Sequence, residues 1–142
     1  MVGMRLSILP LQGAGELRFG MSVDEARAHA TGRFSTFRRT PQANPCDFYE
    51  DQGMFLYYDD DGKLEAIEWA NTAQPQPILA GMALLGKSFG EAKSDLRSLS
   101  TRLEEELDGA IAFDLGVSIW VPLARDTAPV ESVLAFREGY YD

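Results

Sequence analysis

The chain holds few side chains with the chemistry of an active site. Its single histidine is His29 and its single cysteine is Cys46. Nucleophilic catalysis needs a base beside the nucleophile, and His29 falls in a predicted helix near no nucleophile motif. Cys46 stands in Asn-Pro-Cys-Asp, without the glycine-rich or helix-start context that lowers a thiol pKa, so a buried or unreactive thiol is favoured. Zinc needs several histidine or cysteine ligands. These residues predict a protein that is not an enzyme and that holds no metal and no cofactor.

The acidic residues do not form a recognisable site either. Asp59-Asp60-Asp61-Gly62 is similar to the start of a calcium-binding loop, but Ala70 stands where an EF-hand needs a glutamate, so a turn is favoured. Glu104–Glu106 with Asp108 is a charge run typical of a solvated surface. A hydrolase using paired carboxylates stays the least favoured alternative, because acidic residues are common throughout the chain.

The formal net charge of −9 indicates which partners to expect. An acidic surface repels nucleic acid and anionic lipid and attracts basic proteins, although it also serves simple solubility. We therefore expect no nucleic acid and no membrane among the partners. A single cysteine permits no internal disulfide, and neither a signal peptide at residues 1–15 nor an apolar run of about 18 residues is visible. These features predict a cytoplasmic protein.

Two similar stretches predict the helices that organise the chain. Gly-Met-Ser-Val-Asp-Glu-Ala and Gly-Lys-Ser-Phe-Gly-Glu-Ala each place a glutamate three residues after a serine, which is the capping-box signature of a helix start. The two serines, Ser22 and Ser88, are 66 residues apart. The predicted helices span about 23–31 and 89–99, and the predicted organisation is a single domain, 1–142, made of pseudo-repeats 1–74 and 75–142.

Alternating polarity predicts the strands. Hairpins are predicted over 54–70 and 117–137, and further strands over 4–10, 34–40 and 101–107. Helices mixed with antiparallel strands predict an α+β fold, in which two pseudo-repeats of helix plus antiparallel strands place the helices on one face of an antiparallel sheet. The other face of the sheet is expected to be open.

The same alternation predicts a binding surface on that open face. The aliphatic residues Val117, Ile119 and Val121 are expected to face the core, so Trp120 faces outward. Applied to the first hairpin, this rule turns Met54, Leu56 and Tyr58 inward. The predicted partner-binding residues are Phe55, Tyr57 and Trp120, surrounded by Asp59, Asp61 and Glu68. The alternative is that a loop or the N-terminal strand covers these rings.

Two segments carry a resemblance to a known group of proteins. Leu17-Arg18-Phe19-Gly20-Met21-Ser22, followed by Glu25, resembles the Gly-x-Leu-Arg-Phe-Gly-Met-Ser-x-x-Glu opening of small acidic bacterial proteins. Residues 58–68 resemble their Tyr-Asp-x-Asp-Gly-x-Leu-x-x-Ile-x-Phe hairpin. Such proteins are often immunity proteins of polymorphic toxin systems. The helix start is also similar to the repeated unit of the β-lactamase inhibitor protein and of small outer-membrane assembly lipoproteins, whose disulfide or lipobox cysteines this chain lacks.

The resemblance implies a function in binding rather than catalysis. It implies a cytoplasmic immunity protein that binds and neutralises a cognate bacterial toxin domain. A basic, nucleic-acid-targeting toxin would suit the acidic charge of the chain. The alternative is a protein-binding or enzyme-inhibitor module outside toxin systems.

Overall fold

The computed structural model describes residues 6–141, and residues 1–5 and 142 lie outside the described part. The described chain is mostly β-structure and forms two sheets. Two short helices, α1 (Val23–His29) and α2 (Phe89–Leu99), and a single 3-10 turn at Glu50–Gln52 complete the regular structure of these residues. The strands are β1 (Leu6–Leu9), β2 (Gly13–Ala14), β3 (Leu17–Arg18), β4 (Ser35–Phe37), β5 (Cys46–Tyr49), β6 (Met54–Tyr58), β7 (Leu64–Ala70), β8 (Pro77–Leu79), β9 (Met82–Ala83), β10 (Leu103–Glu106), β11 (Gly109–Ala112), β12 (Val117–Trp120) and β13 (Ser132–Phe136).

The larger sheet has eight strands in the order β10-β11-β12-β13-β7-β6-β5-β4. All its neighbouring strands pair antiparallel. Strands β7 and β13, at the centre, place Ile67 opposite Ala135, and so join two parts of the chain that are distant in sequence. The smaller sheet has the order β3-β2-β1-β8-β9, and its β1–β8 pair is parallel.

One face of the large sheet forms the core. Strict alternation along β6 and β12 buries every second side chain, because successive residues of a strand point to opposite faces. Apolar side chains of the small sheet and of both helices join these residues in one cluster. The predicted inward set is confirmed: Met54, Leu56, Tyr58, Val117, Ile119 and Val121 are all buried.

The predicted fold class is wrong. An α+β fold of two helix-plus-strand pseudo-repeats, with the helices on one antiparallel sheet, was expected. The structure is mostly β, with sheets of five and eight strands and helices of only seven and eleven residues. The physical reason lies in the small sheet, whose strands have two to four residues. Segments that short show no period in sequence, so most of them resemble turns.

Several individual elements were predicted correctly. Helices α1 and α2 begin where the capping boxes predicted, although α1 ends at His29 rather than near residue 31. The hairpins β6–β7 and β12–β13 lie within the predicted ranges 54–70 and 117–137. Strands β1, β4 and β10 lie within 4–10, 34–40 and 101–107, of which residues 4 and 5 are outside the described part. Neither described helix is long and apolar enough to cross a membrane.

The residues before the two helices make matching backbone hydrogen bonds, one to the first residue of β7 and one to a residue just before β13. Gly20 N–H donates to Leu64 O over 2.9 Å, and Gly86 N–H donates to Val130 O over 3.0 Å. Ser22 forms a complete capping box with Glu25, whereas Ser88 accepts from the Glu91 backbone N–H without the reciprocal bond. Each helix start is therefore fixed by a serine cap and by a backbone hydrogen bond just before it.

Replacing Ser22 by alanine is expected to lower the free energy of unfolding by about 1 kcal/mol, because one backbone N–H of α1 loses its acceptor. Urea denaturation followed by tryptophan fluorescence measures this loss. Ser98→Ala is the matched control, because Ser98 lies late in α2 and is exposed. An equal effect of both substitutions would contradict the capping role of Ser22.

Candidate functional site

The face of the large sheet that points away from the core is called here the outer face. Its central register row crosses all eight strands, so these side chains lie side by side on one surface. All of them are half-buried or exposed. From β4 to β10 the central row reads Ser35, Phe48, Phe55, Glu68, Leu134, Ser118, Ile111 and Glu104.

Four rings at the β4 end of the outer face form an aromatic cluster: Phe37, Phe48, Phe55 and Tyr57. The Phe48 and Phe55 rings stack with centroids 4.5 Å apart, and Phe55 and Tyr57 lie parallel at 6.3 Å. Phe37 meets the Phe55 ring edge-on at 6.2 Å. These distances are typical of favourable aromatic pairs. The cluster forms an apolar patch on the outer face, in which the rings hold one another in place.

Glu68 lies beside this cluster, directly opposite Phe55 on the neighbouring strand. Its Oε1 accepts from the Tyr57 hydroxyl at 2.5 Å and from Arg39 Nη2 at 3.0 Å, and its Oε2 accepts from Ser132 Oγ at 2.7 Å. Burial raises the pKa of Tyr57, and the neighbouring Glu68 carboxylate raises it further, so Tyr57 stays a neutral donor. The carboxylate is thus an oriented negative charge on a largely apolar surface.

The six predicted binding residues do not form one cluster. The structure brings Phe55, Tyr57 and Glu68 together, in mutual contact. Trp120 also faces outward and is 46% exposed, but β12 is three strands from β6, which corresponds to about 14 Å. The predicted outward direction of these rings agrees with their exposure.

Asp59 and Asp61 lie in the turn between β6 and β7. Asp59 Oδ1 accepts from the backbone N–H groups of Asp61 and Lys63, both at 2.9 Å. This carboxylate closes the turn, as aspartate does at such positions. Asp61 is exposed at the tip. Both residues therefore lie at one end of the hairpin rather than around the aromatic cluster.

The side chains considered first for chemistry lie apart from each other. His29 Nδ1 is 3.7 Å from Glu16 Oε2 on the surface. Cys46 is buried, as favoured from its sequence context, and burial raises the pKa of its thiol. Among residues 6–141 no group of three or more histidine, cysteine, aspartate or glutamate side chains is placed to hold a metal ion.

One buried carboxylate, Asp47, was not singled out by any sequence pattern. Arg27 of α1 donates to it twice, from Nε at 2.9 Å and from Nη2 at 2.8 Å. Thr36 of β4 and Tyr58 of β6 donate from their hydroxyls at 2.9 and 2.8 Å. Burial opposes the charge, but these hydrogen bonds outweigh it and hold the pKa of Asp47 below its ordinary value. Asp47 therefore connects α1 and the edge strand β4 to β5 and β6 of the large sheet.

Stability is expected to fall in acid because of two carboxylates. Asp47 has a lowered pKa, and at Asp114 burial is outweighed by hydrogen bonds from Ser100 and Thr101, which lower its pKa to about 2 from 3.8. A carboxylate whose pKa is lower in the folded than in the unfolded protein contributes its full stabilisation at pH values above the unfolded pKa. That contribution is lost as the pH falls through the folded pKa. The unfolding temperature should therefore drop between about pH 4 and pH 2. Thermal melts across this range measure the drop, and Asp114→Asn should reduce its slope; an unchanged slope would contradict the assignment.

The outer face also contains residues that the sequence did not indicate. Phe37 and Phe48 belong to the aromatic cluster and Arg39 lies over the Phe55 ring, yet none of the three was predicted as a site residue. Alternation within Cys46–Tyr49 is a signal that would have placed Phe48 on the same side as Cys46. Arg39 follows a strand by two residues, and no sequence pattern locates such a side chain.

The fold and this surface define a two-sheet, mostly-β protein with an aromatic and acidic outer face. Comparisons with protein-family models, curated proteins and solved structures gave no match.

Proposed function

We propose that this protein is a cytoplasmic immunity protein that binds a basic bacterial toxin domain with its outer face and thereby neutralises it. The observation that carries the proposal is the outer face itself, a broad surface that combines stacked aromatic rings with carboxylates. Exposed aromatic rings among polar groups are typical of protein-binding surfaces. The resemblance of residues 17–25 and 58–68 to immunity proteins supports the same function.

The dimensions of the outer face suit a protein partner. Eight strands spaced by about 4.8 Å span about 34 Å. A stable interface covers about 800 Å² on each partner, and the half-buried or exposed side chains of the central row run across this whole width. A small molecule would need a concave pocket instead of a broad sheet.

The charge of the outer face favours a basic partner. Its strands contribute Glu68, Glu104 and Glu106, and no strand residue of this face is basic. Arg39 reaches the surface from a loop and pairs with Glu68. Together with the net charge of −9, this field speeds association with a basic protein and repels nucleic acid and anionic membranes.

Co-expression tests the proposal. The gene directly upstream of an immunity gene is expected to encode the toxin, so its product is expressed in a bacterial host with and without this chain. We expect growth arrest without the chain and growth with it, and direct binding of the two purified proteins by calorimetry. Absence of binding, or arrest that the chain does not relieve, would contradict the proposal.

The same experiment separates the alternative function. Binding of the upstream product without any growth arrest by that product would indicate a protein-binding or inhibitor module outside toxin systems. The outer face would then keep its role, and the toxin assignment would be wrong.

A further inference from the structure

Arg39 occupies a position on the outer face into which an arginine side chain of a partner would also fit. Its guanidinium carbon lies 5.5 Å from the Phe55 ring centroid and 5.1 Å from that of Tyr57. Its Nη2 donates to Glu68 Oε1 at 3.0 Å and also contacts the Tyr57 hydroxyl. Two ring faces, a carboxylate and a hydroxyl oxygen are a set of groups that binds guanidinium, through cation–π and charge-assisted contacts.

The groups that contact Arg39 are held in place by the strands of the large sheet. Phe55 and Tyr57 lie on β6, and Glu68 lies on β7, within the continuous antiparallel ladder of the large sheet. Glu68 is further oriented by Ser132 of β13. Sites on paired strands are held more precisely than sites on loops.

Arg39 itself is held loosely by comparison. It follows the last residue of β4 by two positions, and its side chain is 53% exposed. The neighbouring Arg38 donates to Ala43 O within the same loop, at 2.7 Å, and makes no cation–π contact among the described residues. Arg39 could therefore leave the site without breaking a ladder hydrogen bond of the large sheet.

A partner that covers the outer face removes water from the charged Glu68 carboxylate. Glu68 is 26% exposed and lies between Phe55 and Leu134 in the central row. A carboxylate that loses water needs a cation beside it, or the complex is weakened. While Arg39 supplies that cation, it also covers the faces of Phe55 and Tyr57.

We propose that Phe55, Tyr57 and Glu68 form a guanidinium-binding site, that Arg39 fills this site in the free protein, and that an arginine of the protein partner replaces Arg39 on binding. The proposal rests on the proposed function in that the partner is a basic protein bound at the outer face. It adds the kind of side chain that the partner inserts.

An arginine peptide tests the site without any natural partner. The probe is Ac-Gly-Arg-Gly-NH₂, titrated into ¹⁵N-labelled protein and followed by NMR. When Arg39 occupies the site, the apparent affinity for the probe equals the intrinsic affinity multiplied by the fraction of molecules in which the site is free. We therefore expect Arg39→Ala to bind the probe about tenfold more tightly than the parent, with shifts at Phe55, Tyr57 and Glu68.

Two further variants make the test specific. Arg38→Ala removes an adjacent arginine that does not touch the rings, and it should bind the probe as the parent does. The double variant Arg39→Ala, Glu68→Gln should bind the probe no more tightly than the parent does. Melting temperatures equal to that of the parent show that the variants are folded. If either single-site variant melts at a lower temperature, the titration is repeated with Arg39→Gln in place of Arg39→Ala. Equal affinity of the parent and the Arg39 variant, or shifts away from the three site residues, would overturn the proposal.

Binding of the upstream gene product gives an independent outcome. Arg39→Ala should bind that protein more tightly than the parent does. Weaker binding would show that Arg39 itself contacts the partner, which overturns the replacement but leaves the outer face as the interface. Absence of binding by the parent would contradict the proposed function, while the peptide titration would still decide the guanidinium site.

Discussion

Replacing Asp47 by asparagine is expected to lower the free energy of unfolding by about 2–3 kcal/mol, because hydrogen bonds to a charged group contribute about 1.5–3 kcal/mol and the Arg27 side chain, which is 33% exposed, keeps water as a partner. Asp47 has no exposed surface. Its carboxylate is the acceptor for Arg27, Thr36 and Tyr58 together. An amide at this position keeps one acceptor oxygen and places its NH₂ group against the Arg27 guanidinium, which can only donate.

The effect should be structural as well as energetic. Arg27 belongs to α1 and Thr36 to β4, so Asp47 joins two elements to β5. Because β4 is the edge strand beside the aromatic cluster, losing this connection should also loosen Phe37. Urea denaturation measures the stability, and amide exchange at residues 23–29 and 35–37 measures the loosening.

Asp51→Asn is the matched control for this prediction. Asp51 is exposed in the 3-10 turn after β5, and a surface substitution of this kind changes stability by about 0.5 kcal/mol or less. A loss below about 1 kcal/mol for Asp47→Asn would contradict the role assigned to the network.

Replacing Phe55 by alanine is expected to weaken binding of the upstream gene product about 30-fold or more. Aromatic residues at the centre of an interface cost about 2 kcal/mol or more when truncated, and about 1.4 kcal/mol corresponds to a factor of ten. Phe55 contacts three other rings and stands at the middle of the aromatic cluster. Calorimetry with the purified proteins measures the change.

Leu123→Ala is the control for a general loss of apolar surface. Leu123 is exposed and lies in the segment after β12, outside the outer face. It should bind as the parent does. Trp120→Ala provides a second outer-face variant, at a side chain that is 46% exposed. Thermal melts of both variants separate a loss of binding from a loss of folding. Parent-like binding by both outer-face variants would contradict the location of the interface.

Local patterns in the sequence predicted local structure well. The capping boxes predicted where α1 and α2 begin, because a serine and a glutamate at that spacing satisfy free N–H groups of a helix start. Alternation predicted which side chains of β6 and β12 face the core, because the period of a strand is two residues.

Pairing between distant segments could not be predicted in this way. The parallel pairing of Leu6 with Pro77 joins the predicted strand β1 to a three-residue strand 71 residues further along the chain, so the second sheet and the fold class were missed. Strand order also decides which outward residues are neighbours. Alternation shows that Phe55 and Trp120 face outward, but only the order β6-β7-β13-β12 shows that three strand spacings separate them.

Side chains that reach across the fold were missed for the same reason. The partners of Asp47 lie 20 and 11 residues away in sequence, in a helix and in strands. Arg39 and Glu68 meet only because β4, β5, β6 and β7 are adjacent in the sheet. Neither contact follows from the spacing of residues along the chain.

Hydroxyl-radical footprinting of the complex with the upstream gene product tests most directly whether the outer face is the binding surface. Oxidation of each side chain is measured by mass spectrometry in the free and bound protein. We expect oxidation of Phe48, Phe55, Tyr57 and Trp120 to fall severalfold on binding, while that of Leu123 stays unchanged. Unchanged oxidation of these four rings, with protection at Leu123 or around His29 instead, would contradict this expectation.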